Sequence, residues 1–249
     1  MTKTQRLIRL FGRQIAQGVF GSACALPSEA ELCERFEASR NVMREVVKVL
    51  ATKRLIDAQP HRGLFVMPHK QWNYLDVDVL AWVLEKGGDP ELISSLIEVR
   101  RLIEPAISRW AAERATAVDL VDIEASFNTM AANRENIAVF HEADIQFHKA
   151  ILLATHNVVI QQLSDAISAL QRAIFDHTLL ADQQHMELTV KEHGELFEAI
   201  RRKNPQAAEQ ACHEMVERTA ERAKAGTVKS EFARSSEETP GRSKVVAVS

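Results

Sequence analysis

Pro27-Ser28-Glu29-Ala30-Glu31-Leu32 and, seven residues on, Ser39-Arg40-Asn41-Val42-Met43-Arg44-Glu45 decide how this chain is read. The first contains the Ser-x-x-Glu capping box: the Ser28 hydroxyl accepts from the Glu31 amide, and the Glu31 carboxylate reaches back to the Ser28 amide. That spacing predicts a helix over 28–36, broken at Glu37-Ala38. Ser39 then serves as N-cap of a second helix over 39–53. Two helices across so short a turn are helix-turn-helix spacing. In the second, Met43, Val46, Val47 and Leu50 fall at i, i+3, i+4 and i+7 and are expected to be buried, whereas Arg40, Arg44 and Lys48 repeat every four residues on another face. A helix that leads with Arg40, Asn41 and Arg44 suits the major groove of DNA, where arginine pairs with guanine and asparagine with adenine. A solvated basic face is the competing reading of the stripe taken alone.

The flanks strengthen the first reading. Leu55-Ile56-Asp57-Ala58-Gln59 and Leu64-Phe65-Val66-Met67 read as a hairpin joined by Pro60-His61-Arg62-Gly63. Its tip offers a cation to phosphates or a minor groove. With a helix near 6–17 in front, residues 1–70 form a winged helix-turn-helix. Charge divides along the same line: residues 1–70 hold twelve Lys/Arg against six Asp/Glu, although the whole chain carries a net −3. A basic unit on an acidic body fits a nucleic-acid reader attached to something else.

After a linker at 71–76 the pattern is helical throughout, over 77–86, 90–114, 117–133, 137–155, 158–180, 185–203 and 205–224, so the fold class is mainly α with one small β-hairpin. Asp89 and Pro90 start the long helix 90–114 as N-cap and first residue. Residues 226–249 are small, polar and charged without periodicity and read as a disordered tail. With 249 residues, 46% of them apolar, disorder throughout is excluded. No apolar run reaches the length of a membrane span and no signal h-region opens the chain, which points to a cytoplasmic protein without membrane partners. Cys24, Cys33 and Cys212 make neither an even set nor a CxxC pair, so buried thiols are expected.

Within the helical part Arg100 lies beside the apolar stripe of 90–114. An arginine near a bundle interior needs a carboxylate, supplied by a ligand or by Glu104 one turn later. Pro105 cannot donate to the Arg101 carbonyl and is expected to bend this helix. Asp144 and His148, four apart, project from one face, and His193 and His213 follow on two later helices. Three imidazoles and a carboxylate suit a borderline divalent ion, zinc first, with nickel or manganese as alternatives; His141 is a competing ligand, and a hydrogen-bonded core histidine competes with the metal reading at each position. Such a site also admits a metal-dependent hydrolase or hydratase. No H-E-x-x-H, nucleophile elbow or phosphate loop accompanies it, and an enzyme leaves the basic helix-turn-helix unexplained.

Leu26-Pro27-Ser28-Glu29, Ser39 to Glu45 and Arg62-Gly63-Leu64-Phe65-Val66 resemble the winged helix of GntR-type bacterial transcription regulators. The resemblance implies DNA contacts by Ser39, Arg40, Asn41, Arg44 and Lys48, with the Arg62-Gly63 wing tip in the minor groove. Ala30 stands where many members carry arginine. Glu98-Val99-Arg100-Arg101-Leu102-Ile103-Glu104, Asp144-Ile145-Gln146-Phe147-His148, His193 and His213 resemble the FCD effector domain found behind that winged helix, in its version with about seven bundle helices over 77–225. This implies Asp144, His148, His193 and His213 as metal ligands and Arg100 as the partner of an organic-acid effector. Gln71-Trp72-Asn73-Tyr74-Leu75-Asp76 and Glu104 to Arg114 are similar to members that respond to sugar acids, which implies an aldonate such as D-galactonate. A homodimer that represses from a near-palindromic operator in double-stranded DNA is the mechanism expected.

Overall fold

A computed structural model of the chain describes residues 1–59, 61–85, 90–178 and 183–237. By chain contacts it divides into two units, one of residues 1–89 with 162–173, the other of 90–161 with 174–249.

In the first unit, α1 (Lys3–Ala16), α2 (Glu29–Arg35) and α3 (Arg40–Thr52) precede a hairpin of β1 (Ile56–Gln59) and β2 (Gly63–Val66). The strands are antiparallel, pairing Ile56 with Val66 and Gln59 with Gly63. Each helix starts where its cap dictates. Ser28 and Glu31 form the expected reciprocal capping box, and Thr2 with Gln5 forms another on α1. The turn between α2 and α3 places Glu37 at φ 48°, a conformation costing a non-glycine residue about 1 kcal/mol. It is tied down twice: the Ala38 amide donates to the Cys33 carbonyl, and Lys3 Nζ donates to the Glu37 carbonyl. Leu7, Phe11 and Ile15 of α1 and Met43, Val46 and Leu50 of α3 share one core with Leu55, Leu64 and Val66. Burying each such side chain contributes roughly 1.5–3 kcal/mol, so the wing is welded to the helices by apolar area.

The expected linker is no free tether. Trp72 is buried and its Nε1 donates to the Met67 carbonyl at 2.7 Å. A further helix, α4 (Val77–Leu84), places Val79 and Trp82 in the same core, and Arg13 of α1 pairs with Glu85 at 2.6 Å. The first unit therefore runs through α4, beyond the expected boundary at 70, because Trp82 lies directly over Gly12. Asp89, the expected cap of the next helix, and Pro60 lie outside the described residues.

The second unit is helical: α5 (Pro90–Arg114), α6 (Ala117–Ala132), α7 (Ile137–Leu153), α8 (Val158–Gln161), α9 (Ser164–Thr178), α10 (Gln183–Arg201) and α11 (Pro205–Glu237), with the first half of α9 grouped with the first unit. Ion pairs fix the register. Arg101 meets Glu217 at 2.7 Å, Arg109 meets Glu209 at 3.3 Å and Lys203 donates to the Ala115 carbonyl, so α5 and α11 run antiparallel. His156, after α7, reaches Asp119 at the start of α6 at 2.8 Å, which makes α6 and α7 an antiparallel pair.

Two expectations fail here. The single helix over 158–180 is broken at Gln162-Leu163, after the β-branched run Val158-Val159-Ile160, whose χ1 stiffness weakens a helix. The tail expected from 226 is helical to Glu237, since Gly226 costs a helix only about 1 kcal/mol and no proline follows before Pro240. Residues 238–249 lie outside the described part. No helix among the described residues is long and apolar enough to cross a membrane.

Candidate functional site

Two polar constellations stand out, one in each unit. In the first, the apolar side of α3 faces the core and leaves Ser39, Arg40, Asn41, Arg44 and Lys48 exposed; Ser39 Oγ accepts from the Val42 amide as N-cap. At the hairpin tip His61, Arg62 and Gly63 are exposed, with His61 and Gly63 both at positive φ, so the wing turns sharply and presents Arg62 outward. Sequence reasoning missed one neighbour. Glu29, in the first turn of α2, accepts from Arg44 Nε at 3.2 Å. Both side chains are well exposed, so water screens the pair and it serves to hold Arg44 in place more than to stabilise the fold.

In the second unit Arg100 is 7% exposed. Its guanidinium forms a two-point fork with Glu104, Nε to Oε1 at 2.7 Å and Nη2 to Oε2 at 3.1 Å. The internal partner considered from the sequence is therefore present. Burial works against the Arg100 charge, but the charge and hydrogen bonds of Glu104 outweigh it and raise the pKa. Glu104 and Ser108, four and eight residues on, are buried too, so α5 carries a polar ladder through an apolar interior. Cys212 of α11 lies against it, its thiol pushed up to about 12 by burial and by the Glu104 charge, and so inert.

Beside this ladder α7 and α10 bring Asp144, His148 and His193 together. Asp144 Oδ1 lies 2.7 Å from His193 Nε2 and 3.8 Å from His148 Nε2, and the two imidazole Nε2 atoms are 3.3 Å apart. His193 Nδ1 donates to the Thr189 carbonyl at 2.7 Å, one helical turn back, which aims Nε2 at Asp144. Burial alone would raise Asp144; the His193 hydrogen bond and the charges of His193, His148 and Arg100 reverse that and hold it well below the usual carboxylate range. Burial would lower His193, and Asp144 overrides it upward. His148, without so close a partner, is pushed down to about 4, chiefly by burial. One carboxylate and two imidazoles converging on one point, with the outer nitrogen of His193 held by the Thr189 carbonyl, fit a divalent ion.

His213 does not join them. The buried stripe of α11 runs through Ala208, Cys212, Met215, Val216 and Ala220, and His213, one position past Cys212, is rotated about 100° out of it into solvent. Proximity to Cys212 and Met215 in sequence suggested an inward histidine; the helical phase sets it outward. His141, half-buried, is likewise not in the cluster. Glu104 was legible from its place four residues after Arg100; Ser108, a further turn on, carried no such signal.

Residues 3–66 match the bacterial regulatory proteins of the gntR family, and residues 95–218 match the FCD domain. The chain is 52% identical over 224 residues to the galactonate operon transcriptional repressor of Escherichia coli strain K12, covering 90% of this chain and 98% of that protein. It is 29% identical, over 82% of each chain, to the Glc operon transcriptional activator of the same strain. Among solved structures, Lar, which controls the expression of the Listeria monocytogenes agr system, superposes with a TM-score of 0.64 at 15% identity, over 90% of this chain and 98% of that one. Escherichia coli McbR/YncC does so with a TM-score of 0.52 at 12% identity, over 90% and 98%. The structural likenesses support the fold.

Proposed function

The chain belongs to the GntR family of bacterial regulatory proteins, with an FCD domain behind its winged helix, and from that premise we propose that it represses a sugar-acid operon and is released by an aldonate of the D-galactonate type. It is a DNA-binding transcription regulator with an effector domain, not an enzyme, which sets aside the hydrolase or hydratase reading. The observation that carries the proposal is 52% identity, along nearly its whole length, to the galactonate operon repressor, joined to a buried arginine beside an Asp-His-His cluster.

On the operator, Arg40, Asn41 and Arg44 read base edges in the major groove from the N-terminal part of α3, with Ser39 and Lys48 on phosphates. Arg62 and Gly63 enter the neighbouring minor groove. A homodimer in the cytoplasm presents two such units to half-sites about one helical turn apart, ~34 Å.

In the effector domain Asp144, His148 and His193 would hold a divalent metal, zinc before nickel or manganese because imidazole and carboxylate donors suit a borderline ion. An ion held there would supply a fixed positive charge suited to an anionic hydroxy-acid. The protein's own residues do the rest. Thr189 orients His193, Asp144 neutralises the site, and Arg100 takes the effector's carboxylate. Release follows where the effector binds better to an arrangement in which the two α3 helices no longer match the groove; a tenfold loss of operator affinity needs about 1.4 kcal/mol of such preference.

Gel retardation on the chain's own upstream region, repeated with a panel of aldonates, tests this. The expected result is a retarded duplex freed by D-galactonate. A duplex that no aldonate releases would overturn the effector assignment.

A further inference from the structure

We propose that Glu104 is a positioning residue for effector binding: it permanently occupies one edge of the Arg100 guanidinium and so fixes the other edge as the seat of the effector's carboxylate. This rests on the assignment of Arg100 to the effector.

A guanidinium offers two forks, one along Nε and Nη2 and one across Nη1 and Nη2. Glu104 fills the first at 2.7 and 3.1 Å. Among the described residues Nη1 makes no hydrogen bond, so the second fork is the edge left for a ligand carboxylate. Displacing Glu104 instead would break two charge-assisted hydrogen bonds in the interior, whereas sharing breaks none. The fork also stops rotation about the bond to Nε. A buried arginine would otherwise sample several orientations on its long side chain, and the ligand would have to select one. Because Glu104 lies four residues after Arg100 on α5, both ends of the fork are set by one rigid helix.

The fork also balances charge. The Arg100–Glu104 pair adds no net charge beside Asp144, so a preference for anions there would have to come from a cation held by Asp144, His148 and His193. Arg100 then contributes direction more than charge.

The test uses full-length protein, calorimetric titration with D-galactonate, and acetate as a second probe. Acetate has the size of the Cγ and carboxyl group that Glu104→Ala removes. Glu104→Ala is expected to bind D-galactonate at least about tenfold more weakly while still retarding the upstream duplex. Acetate, but not chloride at equal ionic strength, is expected to restore affinity in the variant by refilling the vacated fork. In the native protein acetate has only the effector's edge to occupy, so there it competes with D-galactonate. Opposite effects of one small carboxylate on two proteins differing at residue 104 are what a merely structural role would not give. Glu104→Gln, which keeps an oxygen acceptor, is expected to fall between the two and carries the test should Glu104→Ala not fold. Native affinity in Glu104→Gln, or acetate acting in the same direction in both proteins, would overturn the proposal. Native D-galactonate binding by Arg100→Ala, or none by the native protein, would instead remove the effector assignment beneath it.

Discussion

At the scale of single residues, the second unit buries charge only where charge is answered. Arg100 lies within 3 Å of Glu104, and Asp144 within 3 Å of His193, so each buried charge has a polar partner that offsets its desolvation. Removing one member therefore does more than delete a contact. Arg100→Ala takes the guanidinium away from buried Glu104, and the expected cost is about 3–5 kcal/mol of stability by urea denaturation. Arg100→Met with Glu104→Met, which deletes both charges, should lose far less, while induction by D-galactonate disappears in both. The proposed metal ligands divide in the same way. His193→Ala is expected to abolish zinc binding, measured by competition with a chromophoric chelator. His213→Ala should bind zinc as the native chain does, because that side chain is exposed on α11. The sequence made Asp144 and His148 legible through their i, i+4 spacing, and His193 through its apolar neighbours. It misassigned His213 because a buried cysteine and methionine at 212 and 215 bracket the position, and only the phase of the whole buried stripe reveals which way 213 points.

At the scale of elements, helix types and most starts were legible because capping residues are local chemistry: Ser28 with Glu31, Ser39, Asp76 and Thr116 all cap as their side chains dictate. Ends and breaks were less so, since the break at Gln162-Leu163 and the continuation past Gly226 depend on small differences in propensity. The assignment of α4 was not legible either, because it depends on a contact seventy residues away. Gly12 lies inside α1, where alanine would ordinarily gain about 1 kcal/mol. Here a Cβ would stand 2.2 Å from the ring of buried Trp82. Gly12→Ala is thus expected to destabilise by about 1–3 kcal/mol, as overpacking does, and Trp82→Leu in the same chain should recover most of the loss. Lys53 ties the same elements together from the end of α3, with Nζ 2.8 Å from both oxygens of Asp76 and 2.7 Å from Asp78. Burial opposes its charge, but the two aspartates outweigh that and raise its pKa above 10.5. A raised lysine contributes fully below the unfolded value and loses its contribution as pH rises through the folded one. Native stability is expected to fall above pH 10.5 in urea melts, while Lys53→Met, less stable by about 1–2 kcal/mol at neutral pH, should lack that part of the decline.

At the scale of the whole molecule, the segregation of charge separates two kinds of recognition, and each leaves its own signature in binding data. Phosphate contacts release counterions, so operator affinity should fall steeply with salt, by about 0.9 in log–log slope per phosphate neutralised. In a dimer each cation counts twice. Lys48→Ala is expected to lessen the slope by about two and to weaken all duplexes alike, whereas Asn41→Ala should relax the preference at one base pair in each half-site at a cost of about 1–3 kcal/mol. Symmetry gives the sharper test. If two α3 helices are held one helical turn apart, inserting about 5 base pairs between the half-sites of a retarded duplex carries them to opposite faces of the DNA, and retardation should be lost. Inserting about 10 restores the face but not the separation, so affinity should return only as far as the dimer can stretch. A monomer reading a single site would bind all three duplexes equally, and its mass in sedimentation would match one 27.9 kDa chain.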